Sequence, residues 1–177
     1  LLLFEAGTGV GKSLAYLLPA ILFAVTKKRQ GVVSTNTIAL QEQIEKKDLP
    51  LCRELFTRVP ELERFAGFRE SLLIGRGNYI CGTRLTEAMA TREELFETTE
   101  RNELQRLYDW YRGTRTGILQ ELDPPPPFEV WDWVNADGPA CNPRNCTPET
   151  CFYRKAREAL SKAQILVVNH SLLFALL

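Results

Sequence analysis

This chain has no net charge: 22 lysines and arginines balance 22 aspartates and glutamates over 177 residues. Bulk charge therefore gives no reason to expect nucleic acid or a membrane as partner, and any such site has to be a local patch. Histidine is nearly absent. The single one, His170, follows an apolar run in Val168-Asn169-His170-Ser171. It reads as a satisfied polar residue or the neighbour of a helix cap rather than as a catalyst. No apolar run is long enough to span a bilayer; the longest, Leu14 to Val25, is too short and carries Pro19. No signal peptide and no internal repeat is visible. The chain does not start with Met, and Leu172 to Leu177 is apolar with no closing turn, so a piece of a longer protein is expected. What is present suits a globular fold. Hydrophobic residues are 45% and charged residues 25%, enough apolar material for one sizeable core with an insertion.

The most informative stretch is Ala6-Gly7-Thr8-Gly9-Val10-Gly11-Lys12-Ser13, between the apolar run Leu1-Leu2-Leu3-Phe4 and a helical pattern from Leu14 onward. Strand, glycine-rich turn, Lys-Ser and helix is the context of a phosphate-binding P-loop. Gly7, Gly9 and Gly11 let the backbone curl so that successive N–H groups face phosphate oxygens. The helix that starts near Gly11 adds the positive end of its dipole. Lys12 is expected on the β- and γ-phosphates of ATP and Ser13 on Mg²⁺, which makes these two the catalytic candidates. Ala6 stands where the motif usually has its first glycine. The expected nucleotide contacts are Ala6, Gly7, Thr8, Gly9, Val10, Gly11, Lys12 and Ser13.

Periodicity places these residues in an α/β frame. Leu1–Glu5, Gly31–Thr35, Ser71–Ile74 and Ala163–Val168 read as strands. Residues from Lys12 to about Lys28 read as a buried helix that Pro19 kinks or breaks. Strand–helix–strand is the unit of a parallel sheet. Thr37 can cap the next helix, which Pro50 interrupts. From about Asn78 to Ser161 the pattern changes. Glu- and Arg-rich amphipathic segments run to Tyr111, Pro124 to Pro127 exclude helix, and a turn-rich stretch leads to Cys151.

Cys141, Cys146 and Cys151 are each separated by four intervening residues in this insertion, and Cys81 opens it. Nucleotide chemistry argues for a reducing compartment, where cysteines serve as metal ligands or buried thiols rather than disulfides. Four thiolates at the two ends of an insertion with little apolar core would clamp it around one metal centre. The spacing suits zinc and an iron–sulfur cluster equally. Cys52 lies in a helical pattern of the core and reads as a buried free thiol.

At this point the chain resembles a known family. Glu5 to Ser13 resembles motif I of superfamily 2 helicases. Val33-Ser34-Thr35-Asn36-Thr37 with Leu40-Gln41-Glu42-Gln43 resembles motif Ia. Gly75-Arg76-Gly77-Asn78-Tyr79-Ile80-Cys81 resembles the approach to the first cluster cysteine of the DinG/XPD-type iron–sulfur helicases. Cys141, Cys146 and Cys151 sit where that family carries its other three ligands. Val167-Val168-Asn169-His170-Ser171-Leu172-Leu173 resembles the segment shortly before the family's DEAH box. The match spans the chain in family order and is nearest to the bacterial DinG-like branch. Some members of that branch carry an exonuclease domain and lack the cluster cysteines; the four cysteines here set this chain apart from them.

The resemblance implies a P-loop RecA-like parallel sheet with a mainly helical, four-cysteine iron–sulfur insertion. Residues 1–77 would begin the ATP-binding domain, 78–161 would form the cluster insertion, and 162–177 would return to the core, ending before the DEAH box. It implies a 4Fe–4S cluster on Cys81, Cys141, Cys146 and Cys151. The implied activity is an ATP-dependent DNA helicase moving 5′ to 3′ on single-stranded or forked DNA, working with replication or repair proteins. The implied location is the bacterial cytoplasm at the nucleoid, without a membrane. Thr35 and Thr37 are weak candidates for the DNA backbone. Arg144, Arg154, Lys155, Arg157 and Lys162, with Tyr79, Phe152 and Tyr153, form a candidate DNA patch beside the cysteines. The Walker B carboxylates and the second motor domain with its arginine finger are missing, so the chain alone is expected to hydrolyse almost no ATP. A P-loop interaction module with a zinc-stapled insertion is the alternative.

Overall fold

Gly11 stands in the left-handed region at φ 78° and ψ 25°, and the first helix starts directly after it. The computed structural model describes residues 5, 7, 11–138, 141, 146–147 and 149–176. Ala6, Thr8, Gly9, Val10 and residues 1–4 of the strand expected at Leu1–Glu5 lie outside the described residues, as does Arg144. In chain order the elements are α1 (Lys12–Lys27), β1 (Gly31–Thr35), α2 (Ile38–Gln43), α3 (Leu49–Arg58), β2 (Glu70–Leu73), α4 (Gly82–Ala90), α5 (Arg92–Leu95), α6 (Thr98–Tyr111), α7 (Phe128–Val134), α8 (Phe152–Leu160), β3 (Ile165–Asn169) and α9 (His170–Leu176). No helix among the described residues is long and apolar enough to cross a membrane. The chain divides into two units: residues up to Ile74 with those from Ala159 on, and Gly75–Glu158.

The first unit is built on a parallel sheet in the order β1-β3-β2. Gly31 and Glu70 both align with Ile165, so the three strands begin level. Among the described strands the central one is the last in sequence, and it joins the sheet only after the chain returns from the second unit. Leu17, Ile21 and Ala24 form one buried stripe on α1, and Leu49, Cys52 and Phe56 form another on α3. They pack with Ile165 and Val167. Each large side chain buried this way contributes about 1.5–3 kcal/mol.

Both prolines behave differently from expectation. Pro19 lies inside α1, yet the helix runs unbroken from Lys12 to Lys27. Pro19 is exposed, while Leu17 and Ile21 on either side are fully buried. Their packing outweighs the lost backbone hydrogen bond, a penalty of about 3 kcal/mol. Pro50 lies within a continuous helical run, directly after the π-helical turn, so it does not end the helix. A π-helical stretch, Ile44–Asp48, joins α2 to α3 and widens the helix just before Pro50.

The second unit has its own core: Ile80, Leu85, Ala88, Phe96, Leu104, Leu107, Leu122, Val130, Trp131 and Val134. This corrects the expectation of an insertion with little apolar core, and a metal clamp is not needed to explain why most of it folds. Glu97 and Glu100 make a reciprocal capping box at the start of α6. Pro124 to Pro127 form no helix, and α7 begins directly after them. Trp131 Nε1 donates to the Gly77 carbonyl at 2.7 Å, and the Cys81 N–H donates to Val134 at 2.8 Å. These bonds tie the Gly75–Cys81 segment to α7.

Candidate nucleotide and cysteine sites

Lys12 is the first residue of α1, and its Nζ donates to the Gly7 carbonyl at 2.9 Å. The bond joins the start of α1 to the glycine five residues before it. The helix that follows has no side-chain cap and no acid in its first turn. Among the described residues no cap side chain and no first-turn acid offsets its leading N–H groups and the positive end of its dipole. This arrangement attracts an anion. Ser13 is half-buried one residue further along, and Gly7 and Gly11 are exposed. The motif was legible because every signal in it is local.

The carboxyl ends of the strands, where open parallel sheets hold ligands, carry a second group of polar residues. Thr37 caps α2, its hydroxyl oxygen accepting from the Leu40 N–H at 3.2 Å. Thr35 is buried, and its hydroxyl donates to the Thr37 carbonyl at 3.0 Å. Ser34 Oγ and His170 Nδ1 lie 2.6 Å apart, so the lone histidine is a satisfied polar residue at the start of α9. Gln41 was missed as an individual residue. It is fully buried, and its Nε2 donates to Leu73 at 3.1 Å and to Val167 at 3.4 Å, tying β2 to β3. Its Oε1 has no hydrogen-bond partner among the described residues. No local pattern could show this, because the acceptors lie 32 and 126 residues away.

All five cysteines are free thiols. Cys81 precedes α4 and is half-buried, as are Cys141 and Cys146; Cys151 is buried and precedes α8. Burial pushes the Cys146 thiol up, and the neighbouring Cys151 and Cys141 thiols add to it, with Arg154 opposing. Three of the four thiols thus share one electrostatic environment. Repulsion between close thiolates is what a bound cation offsets, so the donor set fits a thiolate-bound metal in chemistry. Among the described residues, no group of three or more His, Cys, Asp or Glu side chains is gathered in a metal-holding arrangement.

The segment bearing Cys81 and the one bearing Cys151 are brought together by aromatic rings. Tyr79 meets Tyr153 with centroids 5.6 Å apart, and Tyr111 meets Phe152 at 5.9 Å. A Cβ on Gly82 would collide with Tyr111, and one on Gly117, whose φ is +66°, would collide with Phe152. The contacts correct one part of the expected DNA patch. Tyr79 is 1% exposed and is a packing residue, so it is not available to stack on bases. Arg154 donates to the Cys146 carbonyl and so braces the cysteine loop. Cys52 stands apart in the first unit. Burial, then Asp48, pushes its thiol up to about 11, with Arg53 opposing.

No protein-family model matches the chain. Curated relatives do. It is 38% identical over 184 residues to the ATP-dependent DNA helicase DinG of Photobacterium profundum, a match covering 99% of this chain and 25% of that protein. It is 37% identical over 187 residues to the ATP-dependent helicase DinG of Mycobacterium tuberculosis, covering 97% and 27%. It is 34% identical over 191 residues to the ATP-dependent DNA helicase DinG of Escherichia coli, covering 98% and 25%. The chain thus spans about a quarter of the length of these relatives. Over nearly all of its own length the chain is similar to a segment of these DinG proteins.

Proposed function

We propose that this chain is the first nucleotide-binding part of an ATP-dependent DNA helicase. The whole protein would carry a 4Fe–4S cluster, move 5′ to 3′ on single-stranded DNA and serve DNA repair or replication. The observation that carries the reading is the start of α1: left-handed Gly11, no side-chain cap among the described residues, and Lys12 donating to the Gly7 carbonyl. In this reading Lys12 exchanges the Gly7 carbonyl for the β- and γ-phosphate oxygens of ATP. The leading N–H groups of α1 hold further oxygens, and the Ser13 hydroxyl holds Mg²⁺. Ala6, Thr8, Gly9 and Val10 are the remaining proposed nucleotide contacts. The names of the relatives support ATP and DNA as substrates.

Cys81, Cys141, Cys146 and Cys151 are the proposed cluster ligands. Bound there, a 4Fe–4S cluster supplies a cross-link between the two ends of the second unit. The Tyr79–Tyr153 contact already aligns those ends. The RecA-like domain then comprises the first unit, and the cluster domain the second. Thr37 is the better DNA-backbone candidate, since it is exposed and its hydroxyl keeps a proton to donate. Thr35 is the weaker, its hydroxyl being committed to Thr37. Single-stranded or forked DNA is the proposed partner, in the cytoplasm at the nucleoid.

Forked duplexes with only a 5′ or only a 3′ single-stranded tail test the proposal. The full-length protein with ATP should separate the strands of the 5′-tailed substrate. Unwinding of the 3′-tailed substrate alone would reverse the polarity, and unwinding of neither would remove the helicase reading.

A further inference from the structure

Four cations line one cavity of about 500 Å³ in the first unit: Lys28, Arg29, Arg69 and Lys162. They converge from three places. Lys28 and Arg29 follow α1, Arg69 precedes β2, and Lys162 lies between α8 and β3. No Asp or Glu lines the cavity. The nearby Glu70 is held by Arg53 at 2.7 Å. Among the described residues none of the four makes an ion pair.

Several hydrogen-bond acceptors around the cavity are occupied. The Ala24 carbonyl accepts from both Lys28 and Arg29 N–H groups. Gln30 Nε2 donates to the carbonyls of Leu160 and Ala163. Gln164 Oε1 accepts from the Arg69 N–H at 2.7 Å, and the Gln164 carbonyl from Gly31 at 2.8 Å. These acceptors are used within the wall, and the four cationic side chains line the space. The carboxyl-terminal dipole of α1 accounts for Lys28 and Arg29. It does not account for Arg69 or Lys162.

We infer that this cavity binds a compact polyphosphate anion. Two guanidinium forks and two ammonium groups suit adjacent phosphate groups, the forks by paired hydrogen bonds and the ammoniums as point charges. Convergence on one cavity favours a compact anion over a strand, which needs cations along a track. The site is separate from Lys12. The sixteen residues of α1 span about 24 Å at the helical rise, and the cavity lies at the end of the sheet where the strands begin.

Lysine acetylation of the full-length protein, read residue by residue by mass spectrometry, tests this. Pyrophosphate should protect Lys28 and Lys162 several-fold against a sodium chloride control of equal ionic strength. Arg69→Gln should remove most of that protection and leave protection at Lys12 unchanged. Equal labelling with and without pyrophosphate would overturn the site. Protection that survives Arg69→Gln would overturn the shared cavity, and protection by a single-stranded oligonucleotide but not by pyrophosphate would overturn the compact anion.

Discussion

Tyr79 and Tyr153 meet edge to face, with ring planes at 67°, and each stands two residues from a proposed ligand, Cys81 and Cys151. The contact is a bond between the two ends of the second unit that uses no metal. An aromatic pair of this kind is worth about 0.5–1.5 kcal/mol beyond its buried area.

Tyr153→Ala should therefore lower the melting temperature of the metal-free full-length protein and reduce the iron it retains on purification. Tyr153→Phe keeps the ring and should restore both. Calorimetry and iron assay on the two variants check this. Unchanged iron in Tyr153→Ala would show that the ring contact does not align the cysteine segments.

The ligand assignment separates Cys146 from Cys52. Purified without oxygen, the wild-type full-length protein should carry about four irons and four sulfides per chain. Cys146→Ser should lose most of that iron, whereas Cys52→Ser should keep it, because Cys52 is buried in the first unit. One zinc and no sulfide would instead favour a structural zinc site and the interaction-module alternative.

Cys52 has a pH signature of its own. Its thiol is pushed up to about 11 from the ordinary 9.0, chiefly by burial. The folded state therefore keeps a proton that the unfolded state releases between these values. Stability contributed by the neutral thiol is fully present below pH 9 and is lost as pH rises toward 11, by about 1.4 kcal/mol per pH unit. Urea unfolding of wild type and Cys52→Ala across this window checks it. The variant should be less stable at pH 8 because of the cavity it creates, and should lose less stability on going to pH 11. Parallel slopes would contradict the assignment.

What the sequence made legible was local. Gly11-Lys12-Ser13 ahead of a helix, Thr37 as a cap and the β-branched runs of β1 and β3 carry their signals within a few residues. Pro19 was misleading because a local rule lost to tertiary packing at Leu17 and Ile21. The core of the second unit was hidden because Leu85, Leu104 and Val130 come from separate, charge-rich helices. Tyr79 looked like a base-stacking platform until Tyr153 was found against it. Gln41 and the basic cavity were equally hidden, since each is assembled from segments far apart in the chain.

The most direct test of the central claim is ATP hydrolysis by the full-length protein with and without single-stranded DNA, in wild type and Lys12→Ala. The account predicts turnover stimulated by DNA in wild type. In Lys12→Ala turnover should fall by about 10²-fold or more, as when a catalytic charge-stabilising donor is removed, while DNA binding is retained. Turnover at the wild-type rate in Lys12→Ala would contradict it.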